Sequence, residues 1–340
     1  MHRCIELARL AAGHTAPNPM VGALMIHDGR IIGEGYHQYY GEAHAEVNCI
    51  SSVQAEDQPL ISQSTLYVSL EPCVHYGKTP PCADLIIKKK IPKVVIGCRD
   101  PFIEVNGKGI EKLNAAGIET IFGVLEEECI ALNKRFFTFH TKHRPYVILK
   151  WAESGNHKLA NADFSRVFIS NEFSNRLVHK WRSEEAAILI GTNTALYDDP
   201  ALTVREGWQG SNLTRMVIDM ELRLPQSLKI FNQQARTIVF NSRKHEEQNN
   251  ISYYKIKRDE QLVQQIVHAL YQLKIQSVII EGGTALLQSF IDVGIWDEAR
   301  VITNETLQIP DGIHGPELDE AKLISGENYF SDSIRYYKHL

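Results

Sequence analysis

The chain has 340 residues, 44% hydrophobic and 23% charged, with 36 Lys+Arg against 41 Asp+Glu and a formal net charge of -5. A mean hydropathy of -0.23, with no run near the ~18 apolar residues of a membrane span, excludes a membrane-inserted protein, and the apolar content excludes a disordered one. At roughly 150 residues per domain, the length predicts two domains or one large one.

The opening MHRCIELARLAAG carries Glu6 and Arg9 inside its apolar pattern, which predicts an amphipathic helix rather than a secretory signal, and a cytoplasmic chain is expected. Val21 to Ile26 and Ile31 to Gly35 predict two strands joined at Asp28-Gly29, a dipeptide suited to the positive φ of a tight hairpin. A helix over Ala43 to Val53 follows, then a buried strand Thr65 to Leu70, a helix from Cys82 to about Lys90 and a strand Lys93 to Cys98. Glu111 to Ala116 predicts a short helix stopped at Gly117, Glu119 to Phe122 a further strand, and Glu126 to Phe137 a last helix. The polar stretch from His140 to Pro145 breaks the pattern and predicts a boundary, giving domains 1–143 and 144–340. Beyond it, strands are expected from Tyr146 to Trp151, Ala187 to Ile190, Arg215 to Asp219, Thr237 to Asn241 and Ser277 to Ile280. Helices fall between them, notably Ser174 to Trp181 and Gln261 to Leu273, and the alternation predicts an α/β domain with a mostly parallel sheet.

Charge is balanced in both halves: 14 Lys+Arg and 16 Asp+Glu up to residue 143, and 22 and 25 beyond. Neither half is a basic surface of the kind that binds nucleic acid. All six cysteines fall within the first 129 residues, too sparse for a disulfide scaffold and consistent with reduced thiols or metal ligands. His44, Cys73 and Cys82 together offer an imidazole and two thiols, the three-ligand set of a catalytic zinc site with an open fourth position. Glu46, two residues from His44, is suited to shuttle protons between a zinc-activated water and a substrate. The eight residues between the cysteines contain the Gly and Pro that let the chain turn back, so both sulfurs can reach one metal. The ordinary alternatives are that these cysteines are small buried hydrophobes and His44 a core histidine, or that the site is a closed structural one with His75 or another thiol as fourth ligand. Cys4, Cys49, Cys98 and Cys129 lie on apolar faces or strand ends, where packing suffices.

His44-Ala-Glu46, followed by Glu71-Pro-Cys-x-His-x-Gly-Lys-Thr-Pro-Pro-Cys82, resembles the zinc nucleobase and nucleotide deaminases. The eight-residue spacer, with Pro17-Asn-Pro-Met-Val-Gly22 and Gly35-Tyr-His37, resembles one branch, the bifunctional pyrimidine deaminase/reductases of riboflavin biosynthesis, over nearly the whole chain. That resemblance implies an N-terminal cytidine-deaminase-like three-layer α/β/α domain and a C-terminal dihydrofolate-reductase-like α/β domain. It implies zinc-hydroxide deamination of 2,5-diamino-6-(5-phosphoribosylamino)pyrimidin-4-one, with Glu46 catalytic and His44, Cys73 and Cys82 on the metal. Asn18, His37, His75 and Lys78 would hold the substrate, Lys78 at its phosphate; a turn residue at Asn18 and a solvated loop charge at Lys78 are the plainer readings.

In the second half, Val278-Ile-Ile-Glu-Gly-Gly-Thr-Ala-Leu286 runs from a strand through two glycines into a helix, where free N–H groups suit a phosphate, but there is no G-x-G-x-x-G and a Rossmann fold is not expected. Asp198-Asp-Pro-Ala-Leu-Thr-Val-Arg205, Thr192-Asn-Thr194 and His179-Lys-Trp-Arg-Ser183 are similar to the reductase half of the same family. The resemblance implies NADPH reduction of the ribosyl group to ribityl, with Arg182, Leu202, Arg205 and Glu281 on the substrate; the two arginines suit phosphate oxygens. Surface ion pairing is the plainer reading for the arginines, and backbone N–H acceptance for Glu281. Lys150, Ala152, Phe168, Thr194, Asp198 and the run Gly283, Thr284, Ala285 and Leu286 match the family's cofactor positions, with core packing the alternative at Phe168 and loop capping at Asp198. Arg243 and Lys244, past the strand Thr237 to Asn241, are candidates for the cofactor 2′-phosphate.

Two segments depart from the family pattern. Ser154-Gly-Asn-His-Lys158 stands where the family has Ser-x-Asp-Gly and a basic residue; Asn156 is expected to keep the turn, since Asn tolerates left-handed backbone, while His157 lacks glycine's freedom. Phe102 follows Asp100-Pro101 where Asn is typical. Competing expectations are a tRNA adenosine deaminase with an appended binding domain, disfavoured by net charge and spacer, and an inactive zinc scaffold, disfavoured by Glu46. The partner expected is a small pyrimidine ribosyl phosphate, with no nucleic acid or membrane, and the chain is expected to form a homo-oligomer, dimer or tetramer.

Overall fold

The computed structural model describes residues 1–76, 80–205, 208, 213–259 and 261–340. The chain divides into two units, Met1–His143 and Arg144–Leu340.

The first unit contains α1 (His2–Arg9), β1 (Gly22–His27), β2 (Arg30–Tyr36), α2 (Ala45–Ser51), β3 (Thr65–Leu70), α3 (Cys82–Lys88), β4 (Lys93–Cys98), α4 (Lys108–Ala115), β5 (Glu119–Phe122), α5 (Glu126–Leu132) and α6 (Lys134–Lys142). Its sheet has the order β2-β1-β3-β4-β5, with β1 antiparallel to both neighbours and β3, β4 and β5 parallel. Asp28 and Gly29 both take positive φ, 45° and 77°, as the hairpin requires. Two apolar clusters cover the sheet: Val68, Val94 and Ile96 pack with Ile50 of α2, Ile86 of α3 and Leu113 of α4, while Leu70 and Cys98, at the C-terminal ends of β3 and β4, pack with Ile5 and Ala8 of α1 and Cys129 and Leu132 of α5. The result is an α/β/α sandwich with the C-terminal ends of β3 and β4 leading into the loops that carry Cys73 and Asp100.

The expected single helix from Glu126 to Phe137 is two helices. Asn133 breaks it at φ -107°, and its side chain serves another strand of chain, accepting from Met20 N at 2.8 Å and donating to the Met20 carbonyl at 2.9 Å. The stretch from His140, expected to break the pattern at the domain boundary, stays helical to Lys142 because Phe136 and Phe139 are buried on its inner face, and the helix ends at His143 in the left-handed region.

The second unit contains β6 (Tyr146–Ser154), β7 (Lys158–Asn161), α7 (Glu172–Glu184), β8 (Ala187–Ile190), α8 (Thr192–Asp198), β9 (Thr214–Ile218), β10 (Thr237–Asn241), β11 (Glu246–Gln248), β12 (Ile251–Lys255), α9 (Leu262–Gln272), β13 (Ser277–Glu281), α10 (Thr284–Asp292), β14 (Glu298–Asn304), β15 (Gly312–His314), β16 (Ala321–Tyr329) and β17 (Asp332–His339). Ten strands form one sheet, β11-β12-β10-β9-β8-β13-β6-β14-β17-β16, parallel from β12 to β14 and antiparallel at both ends. Strand β6 shows why both faces are covered. Val147, Leu149 and Trp151 join the layer holding α9 and α10, while Tyr146 and Ile148 join Val178 and Trp181 of α7 on the other side. Lys150, in the same alternation as Ile148, therefore faces α7.

At the turn between β6 and β7 the expectation for Asn156 is overturned: His157 holds the left-handed conformation, at φ 58°. Asn156 is occupied elsewhere, accepting from Ile309 N at 3.1 Å and donating to the Ile309 carbonyl at 2.9 Å. His157 is held by its Nδ1 contact with the buried Glu153 carboxylate at 2.7 Å, and Trp151 Nε1 donates to the same carboxylate at 2.8 Å.

Candidate active sites

In the first unit the three predicted ligands meet. His44 caps α2, Cys73 follows β3 by three residues, and Cys82 opens α3. His44 Nδ1 lies 3.5 Å from Cys73 Sγ and 3.3 Å from Cys82 Sγ, and the Cys82 N–H donates to Cys73 Sγ at 3.3 Å. All three donor atoms lie within 4.8 Å of one another, the one such group among the described residues. Metal bonds of about 2.0–2.3 Å place tetrahedral N and S ligands about 3.5 Å apart, so this soft, borderline donor set fits zinc. The Cys82–Cys73 contact and His44 pull the Cys73 thiol down against burial, while the same contact and burial push the Cys82 thiol up. Contact with Cys73 raises His44.

Glu46 sits in the first turn of α2, 3% exposed, beside Cys82 and within the fields of Cys73 and His44. Burial pushes its carboxyl up to about 7, charge on Cys73 adds to this, and His44 opposes it. The other four thiols are buried; burial pushes Cys4 up to about 12 and Cys49 higher, which suits packing rather than chemistry.

His37 packs edge-on against His44, ring centroids 5.4 Å apart. Its Nδ1 lies 3.0 Å from the Ala43 carbonyl and its Nε2 3.1 Å from Asn18 Nδ2. A carbonyl only accepts, so Nδ1 carries the proton; Nε2 of the neutral ring then accepts from Asn18, whose Oδ1 is left as an acceptor. Burial lowers the His37 pKa, which favours that neutral ring. His75 presents a buried Nδ1 with no hydrogen-bond partner among the described residues, and its ring meets Phe102 edge-on at 5.8 Å. Lys78 lies outside the described residues.

In the second unit, Glu281 at the end of β13 pairs in register with Lys150 of β6, and α7 brings Arg182 over both. Arg182 grips Glu281 bidentately at 2.8 and 2.7 Å, and Lys150 Nζ stands 3.6 Å from the same carboxylate. Burial alone raises the Glu281 carboxyl, but the two cations outweigh it and hold the group at about 2. Burial lowers Lys150 against the pull of Glu281. The Arg205 N–H donates to His179 Nδ1 at 3.3 Å, which brings the loop after α8 onto α7. Leu202 on that loop is 4% exposed and packs in the apolar layer rather than facing outward.

Gly282 and Gly283 take φ of 117° and 70°, and a Cβ at Gly282 would lie 2.8 Å from the Thr194 side chain, so the strand-to-helix turn into α10 admits no side chain. Thr284 starts α10 and Leu286 is buried beneath it, while Ala285 is exposed. Ala152 lies partly buried on β6. Phe164 stacks on Tyr197 of α8 at 4.4 Å, bringing the segment that carries Phe168 to α8; Phe168 itself is exposed, with the Arg166 guanidinium 4.7 Å from its ring. Arg166 also opposes the burial that raises Asp198. Arg243 pairs with Glu221, and Lys244 with Glu246 at 2.8 Å. Sequence reasoning passed over Glu71, the Phe102–His75 contact, Arg166 and Tyr197; only Glu71, inside the Glu-Pro-Cys motif, left a signal.

Residues 1–98 match the family model of the cytidine and deoxycytidylate deaminase zinc-binding region, and residues 145–306 match that of the RibD C-terminal domain. The chain is 39% identical to riboflavin biosynthesis protein RibD of Aquifex aeolicus, covering 99% of this chain and 97% of that protein, and 32% identical to RibD of Escherichia coli over 88% and 85%. It superimposes on the crystal structure of a diaminohydroxyphosphoribosylaminopyrimidine deaminase/5-amino-6-(5-phosphoribosylamino)uracil reductase from Thermotoga maritima with a TM-score of 0.90, at 36% identity over 100% of this chain and 97% of that one.

Proposed function

The chain belongs to the RibD family of riboflavin biosynthesis, bifunctional enzymes with a zinc-dependent deaminase and an NADPH-dependent reductase, and from that premise we propose how its own residues divide the work. The deaminase occupies 1–143 with a cytidine-deaminase-like fold and the reductase 144–340 with a dihydrofolate-reductase-like fold. The substrate is a diaminopyrimidinone ribosyl phosphate, deaminated and then reduced from ribosyl to ribityl. The observation that carries the reading is the convergence of His44 Nδ1, Cys73 Sγ and Cys82 Sγ beside a buried Glu46.

His44, Cys73 and Cys82 hold zinc. When bound, zinc supplies a nucleophile at neutral pH by lowering the pKa of water to roughly 7. Glu46, buried beside the three ligands, would take the proton given up by the attacking water and deliver it to the departing amino group, which leaves as ammonia. Asn18 Oδ1, oriented by His37, accepts from an N–H of the pyrimidine, His75 Nδ1 makes a further polar contact, and Lys78 meets the phosphate.

In the reductase, NADPH, when bound, would supply the hydride that reduces the ribosyl group. Ala152, Phe168, Thr194, Asp198 and the turn from Gly283 through Thr284, Ala285 and Leu286 hold the cofactor, with Arg243 and Lys244 toward its 2′-phosphate. Lys150, 3.6 Å from the Glu281 carboxylate, joins the cofactor residues at the edge of the cleft. Arg182 is committed to Glu281 through Nε and Nη2, so the phosphate falls chiefly to Arg205, with Leu202 shaping the loop that carries it. The reading includes a cytoplasmic setting and a homo-oligomer.

Incubating zinc-loaded protein with the diaminopyrimidinone ribosyl phosphate, and following ammonia and then NADPH absorbance, tests it. Ammonia release followed by equimolar NADPH oxidation is expected; NADPH oxidation without prior ammonia release would refute the order, and neither signal would refute the activity.

A further inference from the structure

Glu71 follows β3 and is 3% exposed, and among the described residues its carboxylate is met by backbone rather than by a cation. Oε1 accepts from Gly109 N at 2.8 Å and Ile110 N at 3.2 Å; Oε2 accepts from Gly107 N at 2.9 Å and Asp100 N at 3.3 Å. The Glu71 N–H donates to the Cys98 carbonyl at 3.0 Å, which fixes the residue at the end of the paired strands β3 and β4. Three of the four donors lie at the start of α4, where unpaired N–H groups and the helix dipole favour an anion. The approach is close: a Cβ at Gly109 would fall 2.2 Å from the Pro72 carbonyl oxygen.

The segment 100–110 held in this way presents Phe102. The Phe102 N–H is tied to Asp100 Oδ1 at 2.8 Å, and its ring lies between His75 at 5.8 Å and His140 at 5.2 Å, the latter backed by Phe136 at 4.4 Å. The cysteine pair has its own ties, Ala83 N to the Cys73 carbonyl at 3.2 Å and Cys82 N to Cys73 Sγ at 3.3 Å. Glu71 thus governs the wall beside His75 more than the metal ligands.

We infer that Glu71 is a positioning residue of the deaminase: by fixing the segment 100–110 through four backbone hydrogen bonds it sets Phe102 against His75 and so determines substrate binding rather than metal binding. The inference rests on the reading of His75 as a substrate contact. In Glu71→Gln the amide nitrogen faces two N–H groups from which it cannot accept, so two of the four bonds are lost. With the zinc-loaded full chain, KM for deamination is expected to rise ~10-fold or more with kcat within ~3-fold of wild type. Zinc content stays at the wild-type value, and circular dichroism reports independently that the chain is folded. A role in stability alone would lower Tm and leave KM in place. A wild-type KM in zinc-replete Glu71→Gln overturns the inference, as does loss of zinc from a folded variant. Should that variant not fold, Phe102→Ala, which leaves all four bonds to Glu71, decides: the same KM rise at constant zinc supports the inference and a wild-type KM overturns it. No ammonia from wild type would instead refute the deaminase reading itself.

Discussion

Glu46 and Glu281 are both buried carboxyls, and their surroundings push them in opposite directions. Glu46 has burial and a neighbouring thiolate, and rises to about 7; Glu281 has two cations, and falls to about 2. Glu46→Gln, isosteric and unable to shuttle a proton, is expected to abolish ammonia release while zinc stays bound, as measured by metal analysis of the inactive variant. For Glu281 the folded pKa lies below the ordinary 4.5, so its contribution, on the order of 3 kcal/mol, is present in full above about pH 4.5 and is lost as the pH falls through about 2. Urea titrations across that window should show wild type losing stability more steeply than Glu281→Gln; parallel curves would contradict the assignment. Arg182→Ala leaves Glu281 with Lys150 alone and should impair reduction, with deamination intact in the ammonia assay. His44, Glu46, Cys73 and Cys82 were legible in the sequence because their chemistry is carried by residue type and short spacing. The Arg182–Glu281 pair spans 99 positions, and that Arg182 spends its fork on a carboxylate rather than a phosphate is set by the packing of α7 on the sheet, which no local pattern encodes.

Among the elements, strands β3, β4, β5, β8 and β10 were readable to within their ends because each is a short run rich in β-branched, aromatic or aliphatic residues set between polar, charged or glycine neighbours. The break between α5 and α6 was not, since Asn133 is tolerated in a helix and leaves it only to satisfy both polar groups of Met20. Asn133→Ala should therefore destabilise the first unit by about 1–3 kcal/mol, read from urea unfolding, by leaving the Met20 N–H and carbonyl unpaired. The C-terminal strand β16 escaped for a different reason: it is exposed along nearly its whole length and shows no apolar alternation. At the β6–β7 turn, His157 pairs a left-handed backbone costing roughly 1–2 kcal/mol with a contact to the Glu153 carboxylate that, with the His157 ring largely exposed, is worth at most roughly 1 kcal/mol. His157→Gly is accordingly expected to raise Tm by relieving the backbone; a lower Tm would show that the Glu153 contact outweighs the strain.

At the scale of the whole molecule, two units with separate apolar cores and separate clusters of functional side chains make up one chain. No helix among the described residues is long and apolar enough to cross a membrane, and neither half carries a basic surplus. Membership of the RibD family, with its C-terminal domain matched over 145–306, replaces the nucleic-acid deaminase and inactive-scaffold alternatives. The claim on which the deaminase depends is that one imidazole and two sulfurs bind a single zinc. X-ray absorption at the zinc edge on the purified chain tests it most directly: two sulfur scatterers at about 2.3 Å with nitrogen or oxygen at about 2.0 Å are predicted, with one sulfur lost in Cys73→Ser. A shell of four sulfurs, or an unchanged spectrum in that variant, would contradict it.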